Sequence, residues 1–575
     1  MAAAEHPLLW TLGSLLLAGL FLAYSNHFYN SFHFDDFHTI EDNLFLRDLR
    51  NIPLFFHDGR TFSALPSNQT FRPLLSTTFA LDYRAGNGAP FPFHVTTFVL
   101  YILQLAAMVV LFVRIMDTSD GDAENRFRNR LIALFSVGVY ALHPACAETI
   151  NYICARSDSL SMLMILLGLV LYAELPNWRK SGLYLVPPLL GMLVKATTVA
   201  FAPILFCYIA LFSARSLRKA LCDSLPAFVA MAGAAVFVVK MNPPTFTTGG
   251  TSLFHYVITQ PFVVLHYFRT FFVPDQLSAD TDWAPFDSIS DDRVWVGCAF
   301  IGALIWAGIF AARRPLTKPF AFGIAFFLLG LLPTSLTPLS EVLNDHRMFL
   351  PFGGMALCFG WAAGLLARKT RSYLSFFDRV TVALALISAL GWGTFRRNEV
   401  WKTEETLWLD VTEKSPRNGR GLMNYGLTQM VQGKYDQALR YFNEALVYCP
   451  SYPALEVNLG IVEGARGRAA EAEAHFQRAI ALSPEYPPSY IFYARWLDEQ
   501  GISRKAIPFL EKAIALSPAA SDARELLMAI YARKQDWPNL RALATKTLRL
   551  LPSDAKAREF LDLANPRTGE GVGKP

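Results

Sequence analysis

Two adjacent aspartates, Asp35 and Asp36, stand among aromatic and histidine residues in the segment 32–38, whose sequence is FHFDDFH. The segment directly follows the first apolar stretch, so the carboxylates are predicted at the mouth of a membrane cavity, where leaving water is costly. One of them could act as a general base on a hydroxyl group, because a neighbouring carboxylate tends to raise its pKa. The alternative is a solvated helix start with an aspartate as its N-cap.

Basic residues adjoin predicted apolar segments on the same side of the membrane as the aspartates: Arg72, Arg156, Lys195 and Arg347. Each one alone is explained by a long side chain that reaches from the membrane edge toward water. Together they would form a cationic rim around an acidic centre. Such a rim suits a polyprenyl-phosphate head group, whose charge has to be held at the boundary between water and lipid.

These groups fit the transfer of a sugar from a lipid phosphate to a hydroxyl group. The phosphate would be the leaving group, with Arg and Lys stabilising the charge that develops on it, and a carboxylate would take the proton of the attacking Ser or Thr. A single displacement of this kind inverts the anomeric centre. No metal is required, although Asp36 and His38 could bind one. The sequence has no GxxxxGK[ST] loop and no HExxH motif, so nucleotide hydrolysis and zinc proteolysis lack support.

Long apolar segments dominate residues 1–400 and predict an all-α, polytopic membrane domain. Hydrophobic residues make up 53% of the 575-residue chain and charged residues 17%, a balance unlike that of a soluble protein. A membrane span needs roughly 20 apolar residues. About eleven spans are predicted, centred on 8–25, 93–114, 131–148, 158–175, 182–195, 197–212, 222–240, 293–312, 319–338, 347–367 and 378–396. We predict that the first is an uncleaved helix rather than a signal peptide, because no basic residue precedes it.

Lys and Arg are concentrated in five alternating loops: 114–130, 177–181, 213–220, 313–318 and 368–379. The positive-inside rule places these loops and the N-terminus in the cytoplasm. The loops 26–92 and 241–292, and everything after residue 397, then face the periplasm or a lumen. This count requires that the amphipathic segment 253–273 does not cross, so we predict that it lies in the interface or re-enters.

Prolines recur every 34 residues after the last span, at 416, 450, 484, 518 and 552. This is the period of the tetratricopeptide repeat, a helix pair that buries its apolar faces only by stacking on its neighbours. The sequence therefore predicts an α-solenoid over 401–564, with repeats 417–450, 451–484, 485–518 and 519–552 and a capping helix 553–564. Residues 565–575 are predicted to be a disordered tail.

Asn424 and Asn458 lie one repeat apart on the first helix of their units, the helix that lines the concave face of such an array. Their amides could hydrogen-bond an extended acceptor polypeptide without reading its sequence. The alternative is that asparagine merely suits this packing position. The seven cysteines are scattered without paired ligand spacing, which favours core-filling thiols. The net charge of +5 is too small to suggest nucleic acid as a partner.

Taken in order, short motifs along the chain resemble those of the transmembrane and tetratricopeptide-repeat (TMTC-type) proteins. They are Phe34-Asp35-Asp36, Phe71-Arg72-Pro73-Leu74, Ala141-Leu142-His143-Pro144 with Glu148, Ala155-Arg156-Ser157-Asp158, Leu193-Val194-Lys195, His266-Tyr267-Phe268-Arg269, Leu277-Ser278-Ala279-Asp280, His346-Arg347-Met348-Phe349-Leu350-Pro351 and Trp401-Lys402-Thr403-Glu404. Eukaryotic members are protein O-mannosyltransferases of the GT-C fold. The resemblance covers nearly the whole chain.

The resemblance implies roles for particular residues. Asp35 and Asp36 match the acidic pair that GT-C enzymes carry in their first luminal loop, one serving as base. The residues that match family positions near the donor site are His143, Glu148, Arg156, Lys195, Arg269 and Arg347. This chain departs from the family at Lys195-Ala196 and at His346-Arg347, where members often have Lys-Glu and Glu-Arg, so two carboxylates are missing and the sugar preference is open.

The leading hypothesis is a membrane glycosyltransferase that moves a sugar, with mannose favoured, from polyprenyl or dolichyl phosphate to Ser or Thr of an exported protein. No cofactor beyond this lipid-linked donor is expected. The repeat domain would present the acceptor, and the short array favours a bacterial inner membrane over the endoplasmic reticulum. Two alternatives remain: a membrane-anchored scaffold whose repeats bind exported proteins without catalysis, and an enzyme with a glycan or lipid acceptor.

Overall fold

The structure, a computed structural model, describes residues 2–246, 249, 252–370, 375–518, 521–552 and 554–565. Within these ranges every regular element is a helix, which confirms the all-α prediction. Residues 566–575, most of the predicted disordered tail, lie outside the described residues.

Before residue 401, the described ranges contain sixteen α-helices. They are α1 Ala2–Ala23, α2 Ile52–Phe55, α3 Pro73–Gly86, α4 Pro90–Asp120, α5 Arg126–Ala141, α6 Ala147–Asn151, α7 Arg156–Glu174, α8 Pro176–Ser181, α9 Val186–Met192, α10 Phe201–Phe212, α11 Leu217–Met241, α12 Leu253–Phe272, α13 Asp292–Ala311, α14 Lys318–Leu336, α15 Phe349–Lys369 and α16 Phe376–Val400.

Eight helices in the described residues are long and apolar enough to cross a membrane, and a ninth span forms if a pair bent by 57° is counted as one. The eight are Pro7–Tyr29, Pro90–Asp120, Ile153–Glu174, Leu217–Met241, Asp292–Ala311, Pro315–Leu336, Asp345–Lys369 and Phe376–Val400, and the bent pair is Arg126–Ala141 with Pro144–Asn151. The predicted spans 182–195 and 197–212 are instead the shorter apolar helices Leu183–Met192 and Ala196–Phe212. The count of about eleven is therefore met only if these short helices are included.

The interruption between the two short helices has a physical cause at Lys195. Its backbone is extended, with φ −154° and ψ 131°, just before the chain turns into the next helix. Its ammonium lies 2.6 and 2.7 Å from the two carboxylate oxygens of Asp158 on α7. A charge at this depth needs a partner, and breaking the helix brings the ammonium to that partner.

The loops rich in Lys and Arg meet at one end of the bundle, which we call the basic end. Asp120, at the end of α4, accepts hydrogen bonds from both Arg128 and Arg368, which belong to two of these loops. The Arg114 guanidinium lies 3.5 Å from Glu174. The ammonium of Lys318 donates to the carbonyl of Leu211.

The opposite end, which we call the acidic end, carries Asp35. Helix α4 begins at this end, as a contact near its start shows: His94 donates a hydrogen bond to the Asn30 carbonyl at 2.9 Å. Helix α12 has both neighbouring segments at this end: the Phe71 amide donates to Asn242 before the helix, and the Ser278 amide donates to Asp345 after it. The predicted segment 253–273 thus forms a helix whose two flanking segments lie at the same end of the bundle.

In the described residues after 401 there are ten helices, and the eight from the second to the ninth form four stacked hairpins, as the 34-residue period predicts. The ten helices are α17 Glu404–Lys414, α18 Gly419–Val431, α19 Tyr435–Tyr448, α20 Pro453–Ala465, α21 Ala469–Leu482, α22 Pro487–Glu499, α23 Ser503–Leu516, α24 Ser521–Arg533, α25 Trp537–Leu550 and α26 Ala555–Ala564. Gly426 and Gly460 allow the two helices of a hairpin to approach. A Cβ on Gly426 would lie 2.7 Å from the ring of Phe442, and a Cβ on Gly460 would lie 2.9 Å from the ring of Phe476. The four hairpins lie within the predicted repeat boundaries.

The repeat array contacts the acidic end of the bundle at two places. At its start, Lys414 donates to the Leu277 carbonyl at 2.7 Å and Asn418 donates to the Thr281 carbonyl at 3.0 Å. After α23, the hydroxyl of Ser517 donates to the Ala64 carbonyl at 3.0 Å. Because Ala64 belongs to the loop that follows Asp35, the array reaches across the face of the bundle that carries the acidic pair.

Close helix packing at the core of the bundle depends on Gly360 and Gly364 of α15, which stand four residues apart. A Cβ on Gly360 would lie 2.8 Å from Ser136 Cβ and 3.1 Å from Ser136 Cα on α5. A Cβ on Gly364 would be similarly close to Ile132, which also lies on α5, with Ile132 Cγ1 at 2.9 Å. Two small residues at this spacing are the usual means by which membrane helices approach.

We expect Gly360→Ala to lower the stability of the bundle by about 1–3 kcal/mol, because the methyl group meets backbone as well as side chain on α5. Gly302→Ala in α13 is the matched control, since nothing lies within 4 Å of a Cβ there. Thermal unfolding in detergent measures both. Equal melting temperatures for the two variants would contradict the close approach of α5 and α15.

Candidate active site

The acidic loop is anchored by the buried carboxylate of Asp36. One of its oxygens accepts the Cys154 amide at 2.8 Å and the other accepts the His33 amide at 3.1 Å, and the residue has no exposed surface. Burial raises the pKa of Asp36 to about 6, although these hydrogen bonds oppose the shift. Asp36 therefore joins the loop after α1 to the residues just before α7.

The carboxylate of Asp35 points the other way, into open space, with 53% of its side chain exposed. Its Oδ1 lies 3.3 Å from His38 Nε2, and His38 Nδ1 lies 2.9 Å from the hydroxyl of Ser63. Burial by the surrounding loops tends to raise the pKa of Asp35. The hydrogen bonds and charges of His38, Tyr152 and Arg72 have a larger opposite effect, so the pKa falls below its ordinary value. The sequence suggested that the neighbouring carboxylate would raise the pKa of one aspartate; the pKa of Asp36 is instead raised by burial, and that of Asp35 is lowered.

The residue before Asp35 adopts an unusual backbone conformation. Phe34 has φ +51°, in the left-handed region that a bulky side chain rarely enters. Its ring packs between Tyr152, Trp401 and Trp408, at centroid distances of 4.9–6.1 Å. Strain of this kind persists only where surrounding contacts enforce it and is concentrated at functional sites. Of the two carboxylates that follow Phe34, that of Asp36 is buried and that of Asp35 is exposed.

His33 connects the acidic loop to the linker before the repeats. Its Nδ1 lies 2.5 Å from Glu404 Oε1 and its Nε2 lies 2.6 Å from the Trp401 carbonyl. Both partners are acceptors, so both contacts are hydrogen bonds only when the ring carries two protons. The other oxygen of Glu404 accepts the indole N–H of Trp408 at 2.7 Å. The start of α17 thereby holds the loop that presents Asp35.

Three of the predicted cations lie within electrostatic range of one another, and one of them, Arg72, acts on Asp35. The charge of Arg72 acts on Asp35, and Lys195 lies within electrostatic range of both Arg72 and Arg347. A backbone hydrogen bond of 3.3 Å from Leu74 to Leu193 ties the segment of Arg72 to that of Lys195. This set, Arg72, Lys195 and Arg347, is called the cation cluster below.

The members of the cation cluster differ in how their charges are compensated. Lys195 has the carboxylate of Asp158 at 2.6 Å. Arg347 donates to the carbonyls of Glu341 and Val342 at 2.9 and 3.3 Å, while the nearest carboxylate oxygen, of Glu341, is 3.8 Å away. Arg72 has no carboxylate within 4.0 Å among the described residues, and its guanidinium lies over the ring of Phe62. The cluster therefore keeps a net positive charge next to Asp35.

Arg156 is placed differently from the prediction. It is fully buried and its guanidinium lies 2.6 Å from Asp82. It also donates to Thr97, Thr78 and the Phe93 carbonyl at 2.7–3.0 Å. Arg156 is fully buried among these groups, so it joins α3, α4 and α7 and exposes no group to a ligand.

His143 and Arg269 also lie apart from the cation cluster. His143 donates to the Phe271 carbonyl at 3.0 Å and stacks on the Phe271 ring, and it is 1% exposed. Arg269 makes a two-bond pair with Asp275 at 2.9 and 2.7 Å, with 45% of its side chain exposed. Contacts within the protein explain both residues.

Glu148 lies next to the cluster through His346, the residue before Arg347. Its Oε1 is 3.0 Å from His346 Nδ1, and its Oε2 is buried without a hydrogen-bond partner in the described residues. Glu148 thus supplies His346 with a carboxylate at the position where the sequence lacks the family's Glu. Asp158 does the same for Lys195, where the following carboxylate is missing.

Asn424 and Asn458 lie on α18 and α20, one repeat apart, and neither amide has a hydrogen-bond partner among the described residues. Asn424 is half-buried and Asn458 is 8% exposed. No group of three or more His, Cys, Asp or Glu side chains in the described part of the chain is arranged to hold a metal ion.

Known proteins match both parts of the chain. A tetratricopeptide-repeat family model matches residues 419–452. The protein O-mannosyl-transferase F38B6.6 of Caenorhabditis elegans is 24% identical over 442 residues, which cover 73% of this chain and 60% of that protein. Protein O-mannosyl-transferase TMTC1 of Homo sapiens is 24% identical over 510 residues, which cover 78% of this chain and 56% of that protein. The chain is a relative of the TMTC-type proteins.

This relationship confirms the resemblance that the ordered motifs indicated. The chain spans about 60% or less of the length of these TMTC-type relatives. Among solved structures, yeast Tom70 has a TM-score of 0.26 at 15% identity, over 78% of this chain and 95% of Tom70, a score too low to carry an argument. The repeat fold rests on the helices themselves and on the family model.

Several residues that shape the site in this TMTC-type relative were missed from the sequence. Asp82 lies in the apolar stretch Phe79-Ala80-Leu81-Asp82, and a carboxylate in such surroundings signals a buried partner. Glu341 and Arg420 are charged residues in loops and a repeat helix, where no local pattern distinguishes them. His33 stands out in the sequence only as a neighbour of the aspartates.

The buried pair of Arg156 and Asp82 leads to a stability prediction. We expect Asp82→Asn or Arg156→Met to destabilise the protein by about 3–5 kcal/mol, since each leaves a buried charge without its partner. The double variant Asp82→Leu with Arg156→Met should recover part of this loss. Thermal unfolding in detergent measures all three.

Arg269→Met is the control, because the exposed pair of Arg269 with Asp275 contributes at most about 1 kcal/mol. If Arg156→Met unfolds at the temperature of the unaltered protein, Arg156 does not hold α3, α4 and α7 together.

The raised pKa of Asp36 predicts a pH dependence of stability. The folded state binds the proton at about pH 6 and the unfolded state at about 3.8, so protonation of Asp36 favours the folded state. This contribution is complete below pH 3.8 and is lost as the pH rises through 6. From pH 7.5 to 4, the stability of the unaltered protein relative to Asp36→Asn should therefore rise, by up to about 3 kcal/mol.

Melting temperatures of the two proteins, compared at each pH, measure this difference. A difference that is constant from pH 4 to 7.5 would contradict the burial of an ionisable Asp36. Asp35→Asn is the opposite control. Because the pKa of Asp35 is lowered, the stability of the unaltered protein relative to Asp35→Asn should fall as the pH decreases.

Proposed function

We propose that this protein is a membrane glycosyltransferase that moves mannose from a polyprenyl phosphate to Ser or Thr of an exported protein. The observation that carries the proposal is Arg72, a cation without a carboxylate partner among the described residues, whose charge acts on both the exposed carboxylate of Asp35 and Lys195. A base and an unsatisfied anion site next to each other are what transfer from a lipid phosphate requires. The names of the TMTC-type relatives, protein O-mannosyl-transferases, support the sugar and the acceptor class.

The donor phosphate would lie among the cation cluster, Arg72, Lys195 and Arg347. Arg347 and Lys195 hold part of their charge against Glu341 and Asp158, so Arg72 is the member that most needs an anion. In the reaction the bond between the anomeric carbon and the phosphate oxygen breaks, and the electron pair leaves with the phosphate. The cluster stabilises this developing charge without reorganising. Arg156, His143 and Arg269 are not part of this proposal, because their groups are taken by protein contacts.

Asp35 is the proposed general base, because its oxygens are exposed while those of Asp36 are occupied by two backbone amides. Its lowered pKa keeps it ionised at neutral pH, ready to accept the proton of the Ser or Thr hydroxyl. His38 fixes the orientation of the carboxylate and is itself oriented by Ser63. Asp36 would be a positioning residue that holds the loop.

The acceptor would approach from the repeat array. Asn424 and Asn458 present amides, unpaired within the described part of the chain, that can bond an extended backbone, and the array ends its path across the bundle at Ala64, next to the Ser63 that contacts His38. We place the acidic end and the repeats on the periplasmic or luminal side, since the basic loops gather at the other end.

Replacing the base tests the enzyme against the scaffold. We expect Asp35→Asn to reduce mannosyl transfer by about 10²–10⁴-fold, because the amide cannot accept the proton. Mass spectrometry of exported proteins from cells that carry the variant measures the loss of glycan, and binding of the same exported proteins should persist. Asp42→Asn is the matched control, as Asp42 is an exposed aspartate of the same loop region.

An unchanged glycan signal with folded Asp35→Asn protein would exclude this mechanism and favour a non-catalytic scaffold. Loss of a mannosylated lipid or glycan in the membrane fraction, with protein glycans unaltered, would instead identify the enzyme with a different acceptor.

A further inference from the structure

Glu341 lies between two arginines that belong to different parts of the protein. Its Oε1 is 2.7 Å from Arg420, near the start of the first repeat helix α18, and its Oε2 is 3.8 Å from Arg347 of the cation cluster. Arg420 is held on its other side by Asp280 at 2.7 Å. A single carboxylate thus stands between the repeat array and the proposed donor site, and it lies closer to the arginine of the array.

The shorter distance decides which arginine the carboxylate compensates. Burial raises the pKa of Glu341, but Arg420 and then Arg347 lower it more, so the side chain is ionised at neutral pH. Its charge is directed at Arg420, which sits at hydrogen-bond distance, whereas Arg347 is beyond it.

Apart from the Glu341 carboxylate at 3.8 Å, the partners of Arg347 are neutral. It donates to two backbone carbonyls and lies 3.2 Å from the Tyr256 hydroxyl. Its Nε is buried and has no hydrogen-bond partner among the described residues. A buried guanidinium held by dipoles, with one donor unused, has both the charge and the capacity to bind an anion.

We propose that Arg420 is a positioning residue for donor binding: it holds the carboxylate of Glu341 on the repeat side, so that Arg347 keeps its charge for the phosphate of the lipid donor. The proposal rests on the proposed function, because it assumes a lipid phosphate at the cation cluster. Without Arg420, the carboxylate would move the short distance to Arg347 and neutralise it. The first repeat then controls the affinity for the donor as well as meeting the acceptor.

Binding of farnesyl phosphate to the full-length protein in detergent tests this proposal. This probe is a short lipid monophosphate, the group that the donor releases, and calorimetry measures its affinity without any turnover. We expect Arg420→Gln to weaken binding at least about tenfold, since an ion pair at Arg347 replaces the free charge. Glu341→Gln in the Arg420→Gln background should restore the affinity to within about threefold, because no carboxylate is then left to compete.

Two single variants complete the set. Asp280→Asn is the matched control, since it removes the other carboxylate partner of Arg420 and leaves Glu341 engaged, so the affinity should stay within about twofold. Glu341→Gln alone should bind at least as tightly as the unaltered protein, and this variant keeps the test decisive if Arg420→Gln does not fold. In transfer assays, Arg420→Gln should raise KM for the donor more than KM for the acceptor.

The outcomes separate the two proposals. If the unaltered protein binds farnesyl phosphate and Arg420→Gln binds it equally well, Arg420 does not position Arg347. If the double variant is as weak as Arg420→Gln, the loss comes from disturbed docking of the repeats, and the inference is wrong while the donor site stands. If the folded, unaltered protein does not bind farnesyl phosphate at all, the proposed function itself loses its donor.

Discussion

Each charge taken out of water near a membrane needs a partner, because leaving it alone costs several kcal/mol. At the acidic end of this bundle the requirement determines the structure: Arg156 has Asp82, Lys195 has Asp158 and Arg420 has Asp280 and Glu341. These pairs join helices that are far apart in sequence. Arg72 differs, because it has no carboxylate at salt-bridge distance within the described part of the chain. Its guanidinium lies over an aromatic ring and interacts with Asp35 at longer range.

The same requirement explains why neighbouring carboxylates differ in character. Asp36 receives two backbone amides and is buried, which suits a residue that fixes the path of the chain. Asp35 has the opposite surroundings, with water on one side and the imidazole of His38 on the other. Phe34, directly before the pair, has a strained backbone, and the aromatic side chains of Tyr152, Trp401 and Trp408 pack around its ring.

Features that depend on local pattern were predictable from the sequence. Hydropathy located the apolar helices, and the 34-residue spacing of Pro450 and Pro484 located the repeats, because each hairpin repeats the same packing with its neighbour. The acidic pair and three of its cations were found by residue type. Residue type also assigned Arg156, His143 and Arg269 to the donor site, and the structure places these three in contact with protein groups. The partners of these residues lie on other segments or have no recognisable sequence pattern; they are Asp82, the Phe271 carbonyl and Asp275. Residue type alone therefore cannot distinguish a paired cation from a free one.

The two contacts between the repeats and the bundle lie on opposite sides of the proposed reaction. Arg420 adjoins Glu341 and hence Arg347, on the donor side, whereas Ser517 adjoins Ala64 and hence Ser63 and His38, on the side of the base. The linker adds a third connection, from Glu404 to His33. An array attached only to recruit acceptors would need one flexible joint. Because the array contacts the protein near both the proposed anion site and the proposed base, its motion would be felt by the groups proposed to bind the donor and to deprotonate the acceptor.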